Sequence, residues 1–95
     1  MTRIFLSALA LVAFTSIAQA ACFADYKAKK DGPLRLHYGV VQLPDNACGD
    51  QGRAEAVVRD KVAQGGWTLL NVMTIFDESG LDQRKESAGQ FFLRF

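Results

Sequence analysis

The sequence predicts a small α+β domain with a three-stranded sheet and one main helix. Residues 34–43 and 67–76 are rich in β-branched and aromatic side chains, which are typical of strands. Between them lies a segment whose apolar residues recur at helical spacing. Residues 90–95 form a third predicted strand, with aromatic side chains on both faces. A strand–helix–strand unit makes its strands parallel, and the third strand can then return antiparallel, either outside them or between them. Its density of phenylalanine favours the position between them, in a β-α-β-β domain of strand order 1-3-2.

The strand at residues 67–76 is the longest, and both of its alternating sets are mainly apolar, so both faces need covering. In residues 34–43 the alternation slips by one at Gly39, which predicts a β-bulge. Helix-forming residues at 22–30 predict one or two helical turns, ended by the turn signal at 31–33.

The main helix follows Asp50, whose carboxylate is expected to cap it, and Gly65 is expected to end it. Its apolar stripe consists of small residues, which suits close packing on a sheet. A second, short helix is predicted over residues 80–87. The predicted unit is one domain spanning residues 21–95.

Residues 1–20 have the pattern of a cleaved signal peptide. Arg3 precedes an apolar stretch at 4–17, and residues 18–20 read Ala-Gln-Ala, a small-residue cleavage site. We therefore expect cleavage after Ala20 and a periplasmic or secreted protein. An uncleaved anchor is the alternative, but it needs about 20 predominantly apolar residues, and Ser16 interrupts the run too early.

Charge argues against nucleic acid as a partner. The chain has eleven Lys and Arg against ten Asp and Glu, and loss of Arg3 with the signal leaves a formal balance of zero. Nucleic-acid binding needs a surplus of cations that displace counterions from phosphates. A local group of four cations is interpreted as a solvated face diluted by Asp25 and Asp31. Its members are Lys27, Lys29, Lys30 and Arg35.

The two cysteines, Cys22 and Cys48, predict a disulfide because an even pair in an oxidising compartment usually pairs. A lipid-modified Cys22 is disfavoured by Gln19, since lipoprotein signals carry an aliphatic residue there. The alternative for function is a metal- or redox-active protein that uses Cys22, Cys48 and His37. These residues lack the close spacing of known metal motifs. We predict no cofactor and no metal.

The sequence gives little support for an enzyme. His37 is the only histidine, both cysteines are expected to be paired, and no motif for a nucleophile or a phosphate-binding loop is present. The remaining prediction is a non-enzymatic interaction or accessory module. It would bind an envelope protein or associate with itself through a sheet edge. Its partner-binding candidates are the large aromatic residues Trp67, Phe92, Tyr26 and Tyr38.

Two blocks, DYKAKKDGPLRLHYGVVQLPDNAC and GWTLLNVMTIFDESGLDQRKESAGQFFLRF, resemble small exported bacterial proteins described as uncharacterised. The resemblance covers most of the chain after the signal and implies no activity or functional residue. The predicted split β-α-β arrangement is also similar to half of a ferredoxin-like domain, an analogy of fold alone.

Overall fold

The computed structural model describes residues 21–95. Within them the chain forms three strands and two α-helices, so the predicted α+β class is confirmed. The predicted signal peptide and its cleavage site lie outside the described residues. The elements are β1 (Cys22–Lys30), β2 (Arg35–Leu43), α1 (Gln51–Ala63), β3 (Thr68–Asp77) and α2 (Asp82–Ala88). Single 3₁₀ turns occupy Asp45–Ala47, Glu78–Gly80 and Gly89–Phe91.

The central strand of the sheet is β1, and the prediction of helical turns there was wrong. The strand order is β2-β1-β3, and β1 is antiparallel to both neighbours. Its alanines favour a helix by local propensity, but five consecutive residues of this segment, 22–26, are buried. Burial on both faces is what a central strand requires, and here it overrides propensity.

The predicted strand at residues 90–95 is also absent, so the order 1-3-2 was wrong. This segment forms a 3₁₀ turn followed by a single parallel bridge between Phe92 and Val40 of β2. One part of the predicted arrangement is nevertheless present. Because β2 and β3 are both antiparallel to β1, they run in the same direction, are connected through α1 and are split by an inserted strand. The inserted strand comes from the beginning of the domain instead of its end.

The bulge predicted at Gly39 does not occur. Pairing between β1 and β2 is continuous from Cys22 opposite Leu43 to Lys30 opposite Arg35. The irregularities lie between β1 and β3, where Met73 and Leu70 of β3 have no partner in β1. A residue that is extra on one strand of an antiparallel pair is a β-bulge.

The main helix begins as predicted, because the Asp50 carboxylate accepts a hydrogen bond from the Arg53 backbone N–H at 3.0 Å. After α1 it is Gly66, not Gly65, that takes the left-handed conformation, with φ of 81°. Three small apolar residues of α1 are fully buried against the sheet. They are Ala54, Val58 and Val62.

Each face of the sheet has its own core. On the first face α1 packs over the alternating residues of β1 that include Ala24 and Tyr26. On the second face α2 contributes Ala88 to a cluster with Phe23 and Val40. The short second helix was predicted at 80–87 and lies at Asp82–Ala88. The expectation that both faces of the strand at 67–76 are covered was wrong, because β3 is an edge strand and most of its residues are exposed.

The segment after α2 passes over the free edge of β2. The Leu93 backbone N–H donates to the Val40 carbonyl at 2.8 Å. Phe92 packs into the core of the second face, whereas Phe95 packs against the core of the first. These contacts cover part of an edge that would otherwise offer unpaired backbone groups.

The predicted disulfide is present between Cys22 and Cys48, with an S–S distance of 2.00 Å and a Cα–Cα distance of 5.9 Å. It ties the start of β1 to the connection between β2 and α1. Among residues 21–95, no helix is long and apolar enough to cross a membrane.

Candidate functional site

An open cavity of about 490 Å³ lies on the surface of the described residues. It lies where the β1–β2 turn, the start of β3 and the chain end come together. We call it the Trp67 pocket. Its lining residues are Lys30, Arg35, Leu36, Gly65, Trp67, Gln90, Phe91, Arg94 and Phe95.

His37 packs against two of the aromatic rings that line the Trp67 pocket, Trp67 and Phe91. Its imidazole stacks on Phe91, with ring centroids 3.6 Å apart and an angle of 12° between the planes. It meets Trp67 edge-on, at 4.3 Å and 88°. A hydrogen bond of 2.8 Å joins its Nε2 to the Tyr26 hydroxyl. These contacts fix the orientation of the rings, because the imidazole is held on an edge and on one face.

The His37 ring is held in its neutral form. Its Nδ1 is buried without a hydrogen-bond partner in the structure. Burial, and secondarily the positive charge of Lys30, lower the pKa of His37 to about 4. At neutral pH the His37 ring is therefore uncharged and packs as an aromatic ring against Trp67 and Phe91. It is not protonated there and so has no proton to donate.

Three cations surround the rings. The Lys30 ammonium lies 4.6 Å from the Trp67 ring centroid, and the Arg35 guanidinium lies 5.7 Å from it. The Arg94 guanidinium lies 5.7 Å from the Phe91 centroid. These are cation–π distances, worth about 0.5–1 kcal/mol each at exposed sites.

No Asp or Glu side chain forms an ion pair with these cations within residues 21–95. The ion pairs there are Lys29 with Asp31, Arg53 with Asp50, and Arg84 with Asp25. None of them involves a cation of the Trp67 pocket, and the lining contains no acidic residue. The pocket thus combines aromatic rings with three cations that have no Asp or Glu partner among the described residues, an arrangement that attracts anionic groups.

A second polar cluster lies on the opposite face of the sheet. The Asp25 carboxylate is buried and accepts from the Arg84 guanidinium at 3.0 Å and from the Tyr38 hydroxyl at 2.7 Å. Burial, together with the bond to Asp25, raises the pKa of Tyr38 to about 12. Arg84 also donates to the Gly80 carbonyl at 2.8 Å. This cluster joins α2 to the sheet.

The four predicted partner-binding residues are not brought together. Trp67 lies in the pocket and is half-buried. Tyr26 is fully buried behind His37, so it offers no surface to a partner. Tyr38 and Phe92 pack against the core of the second face.

Sequence reasoning missed most of the pocket. It treated Lys30 and Arg35 as members of a solvated face diluted by acids. In the structure Asp25 is buried against Arg84 and Asp31 pairs with Lys29. Four further pocket residues, Gln90, Phe91, Arg94 and Phe95, stand at irregular spacing in a segment predicted as a strand. The one usable signal was the density of aromatic and cationic residues in that segment.

The three residues proposed for a metal or redox site are not grouped as metal ligands in the described part of the chain. Cys22 and Cys48 are bonded to each other, which leaves neither sulfur free as a thiolate ligand or for a lipid. Within residues 21–95, no group of three or more His, Cys, Asp or Glu side chains is arranged to hold a metal ion. This alternative therefore gains no support from the described residues.

Comparison of the chain with known protein families, with curated proteins and with solved structures found no match.

Proposed function

We propose that this protein is an exported, non-enzymatic interaction module that binds a partner protein of the cell envelope through the Trp67 pocket. The observation that carries the proposal is the set of three cations over half-buried aromatic rings, with no Asp or Glu ion-pair partner among the described residues. Tryptophan and arginine are the residue types most enriched at the energetic centres of protein interfaces. The signal-peptide pattern and the disulfide support export.

Self-association through a sheet edge is less well supported. The edge strand β3 carries bulges at Met73 and Leu70 in its pairing with β1, and bulges in an edge strand hinder edge-to-edge pairing. The edge of β2 is partly covered by the segment around Leu93. The pocket is thus the better candidate for a recognition surface.

Site-specific photo-crosslinking in intact cells tests the proposal. A photoreactive amino acid replaces Gln90, which lines the pocket, and in a control replaces Arg59, which is exposed on α1. We expect a discrete adduct from position 90 and none from position 59. The adduct should disappear with Trp67→Ala and also with the double variant Lys30→Ala/Arg35→Ala, whose side chains lie outside the core clusters.

Folding of each variant is checked by its cooperative unfolding curve. Equal adducts from both positions, or an adduct that survives both pocket variants, would show that recognition lies elsewhere. An adduct with a second copy of this chain would instead identify self-association.

A further inference from the structure

We infer that the ligand of the Trp67 pocket is an acidic peptide segment that carries an apolar side chain beside its carboxylates. This inference rests on the proposed function and adds the chemical class of the partner's binding segment. It follows from the placement of charge, from the apolar surface next to it and from the concave shape of the site.

The placement of charge is costly to the free protein. Lys30 and Arg35 are directly opposite each other in the antiparallel β1–β2 pair. Like charges in this relation repel and destabilise a sheet. The Lys30 ammonium and the Arg35 guanidinium both lie over the Trp67 ring. The electron-rich face of this ring offsets part of the repulsion between them. A ligand carboxylate between them would remove the repulsion, and Arg35 and Arg94 can each bind a carboxylate bidentately.

Apolar surface continues from the pocket at Leu36 of β2, across β1, to Leu70 of β3. Leu36 lines the Trp67 pocket and also a neighbouring groove of about 260 Å³. Leu36 is 65% exposed and Leu70, on the far side of that groove, is 49% exposed. An inorganic anion would leave these leucines and the aromatic rings of the Trp67 pocket without contacts. A peptide with aromatic or leucine side chains beside its carboxylates would cover them and gain the energy of burying apolar area.

A peptide fits this surface better than a membrane does. Proteins that bind membranes at the surface insert an apolar face into the lipid boundary. Here Trp67, Phe91 and Phe95 are half-buried and recessed in a cavity. A concave site of this kind receives a side chain from a partner and does not insert its own rings into lipid.

The test is selection from a random peptide library displayed on phage, with the full chain expressed through the oxidising export route as bait. Three baits are used: the wild type, the charge-reversed variant K30E/R35E/R94E and the control R59E, which changes an exposed cation of α1. We expect the wild type and R59E to enrich peptides with Asp or Glu next to Phe, Trp or Leu. The charge-reversed bait should enrich Lys- and Arg-containing peptides instead.

Binding of a selected peptide is measured by the fluorescence of Trp67, the only tryptophan of the chain. We expect affinity to fall about tenfold or more in K30E/R35E/R94E and to weaken with rising salt, since the contacts are ionic. Vesicles of phosphatidylglycerol and inorganic phosphate are titrated in parallel, and neither should change the fluorescence at comparable concentration.

Three outcomes would overturn the inference: peptides without acidic residues, acidic peptides that bind the charge-reversed variant equally well, or a response to vesicles or phosphate alone. The proposed function is separable from it. If the selected peptides are neutral or basic and need Trp67 for binding, the inferred ligand class is wrong, but the proposed function as an interaction module is retained. A crosslink that survives the pocket variants would refute the site itself.

Discussion

Gly39 occupies a position where no side chain fits. A Cβ built at this residue would lie 2.6 Å from the Cζ of Tyr26, which is opposite Gly39 in the β1–β2 pair. Tyr26 is fully buried, and its hydroxyl is held by His37. The Tyr26 ring therefore cannot move aside without displacing His37, which packs against Trp67 and Phe91 of the Trp67 pocket.

We expect Gly39→Ala to lower the free energy of unfolding by about 1–3 kcal/mol, the usual cost of overpacking a core. Gly49→Ala is the matched control, since nothing lies within 4 Å of a Cβ there. Urea unfolding of both variants measures the difference. Equal midpoints for the two variants would mean that Tyr26 can relax and that the contact does not explain the glycine.

The same residue shows how sequence reasoning failed locally. The slip of alternation at Gly39 was taken for a bulge, the usual meaning of a glycine in a strand. The actual cause is a long-range contact with Tyr26, whose own segment was assigned to a helix. The sequence alone does not distinguish a glycine that makes room for a ring on another strand from a glycine that is needed for its backbone conformation.

At the scale of elements, α2 is held to the sheet by one buried ion pair. Arg84 and Asp25 have side chains that are 17% and 6% exposed, and the Arg84 guanidinium also stacks on Phe76 at 3.9 Å. Because α2 has seven residues, its own hydrogen bonds contribute little independent stability. Its position depends on these contacts and on the cluster around Ala88.

We expect Arg84→Met to destabilise the protein by about 3 kcal/mol or more, because it leaves the Asp25 carboxylate buried without its cation. Arg53→Met is the control: its pair with Asp50 is half-exposed, and such pairs contribute about 0–1 kcal/mol. Denaturant unfolding provides the measurement. The double variant Asp25→Asn/Arg84→Met should recover part of the loss, since it removes the stranded charge. A double variant no more stable than Arg84→Met would contradict this explanation.

The elements that sequence reasoning predicted best are those with local signals. Asp50 caps α1 as expected, and the β2–α1–β3 unit has the expected strand direction. The strand β1 was missed because its buried face contains Ala24 and Ala28, and alanine has the highest helix propensity. Missing β1 also hid the pocket, because only the β1–β2 hairpin brings Lys30 opposite Arg35.

At the scale of the whole molecule, the disulfide and the proposed recognition pocket lie at opposite ends of the sheet. The disulfide fixes the start of β1 at Cys22, whereas the Trp67 pocket includes Lys30 at the end of the same strand. A strand of nine residues spans about 30 Å at the usual rise of ~3.3 Å per residue. The disulfide therefore lies too far from the pocket to contact it.

We therefore expect the double variant Cys22→Ala/Cys48→Ala to lose stability without losing the pocket. The bond closes a loop with a sequence separation of 26, for which the chain-entropy estimate gives about 3–4 kcal/mol. A small domain has only a few kcal/mol to lose, so the urea midpoint should fall strongly. Reduction of the wild-type disulfide should lower the urea midpoint by the same amount. The fluorescence spectrum of Trp67 in the folded fraction of the variant should match that of the wild type. An unchanged midpoint would contradict the stabilising role, and an altered Trp67 spectrum in the folded fraction would show that the two ends are coupled.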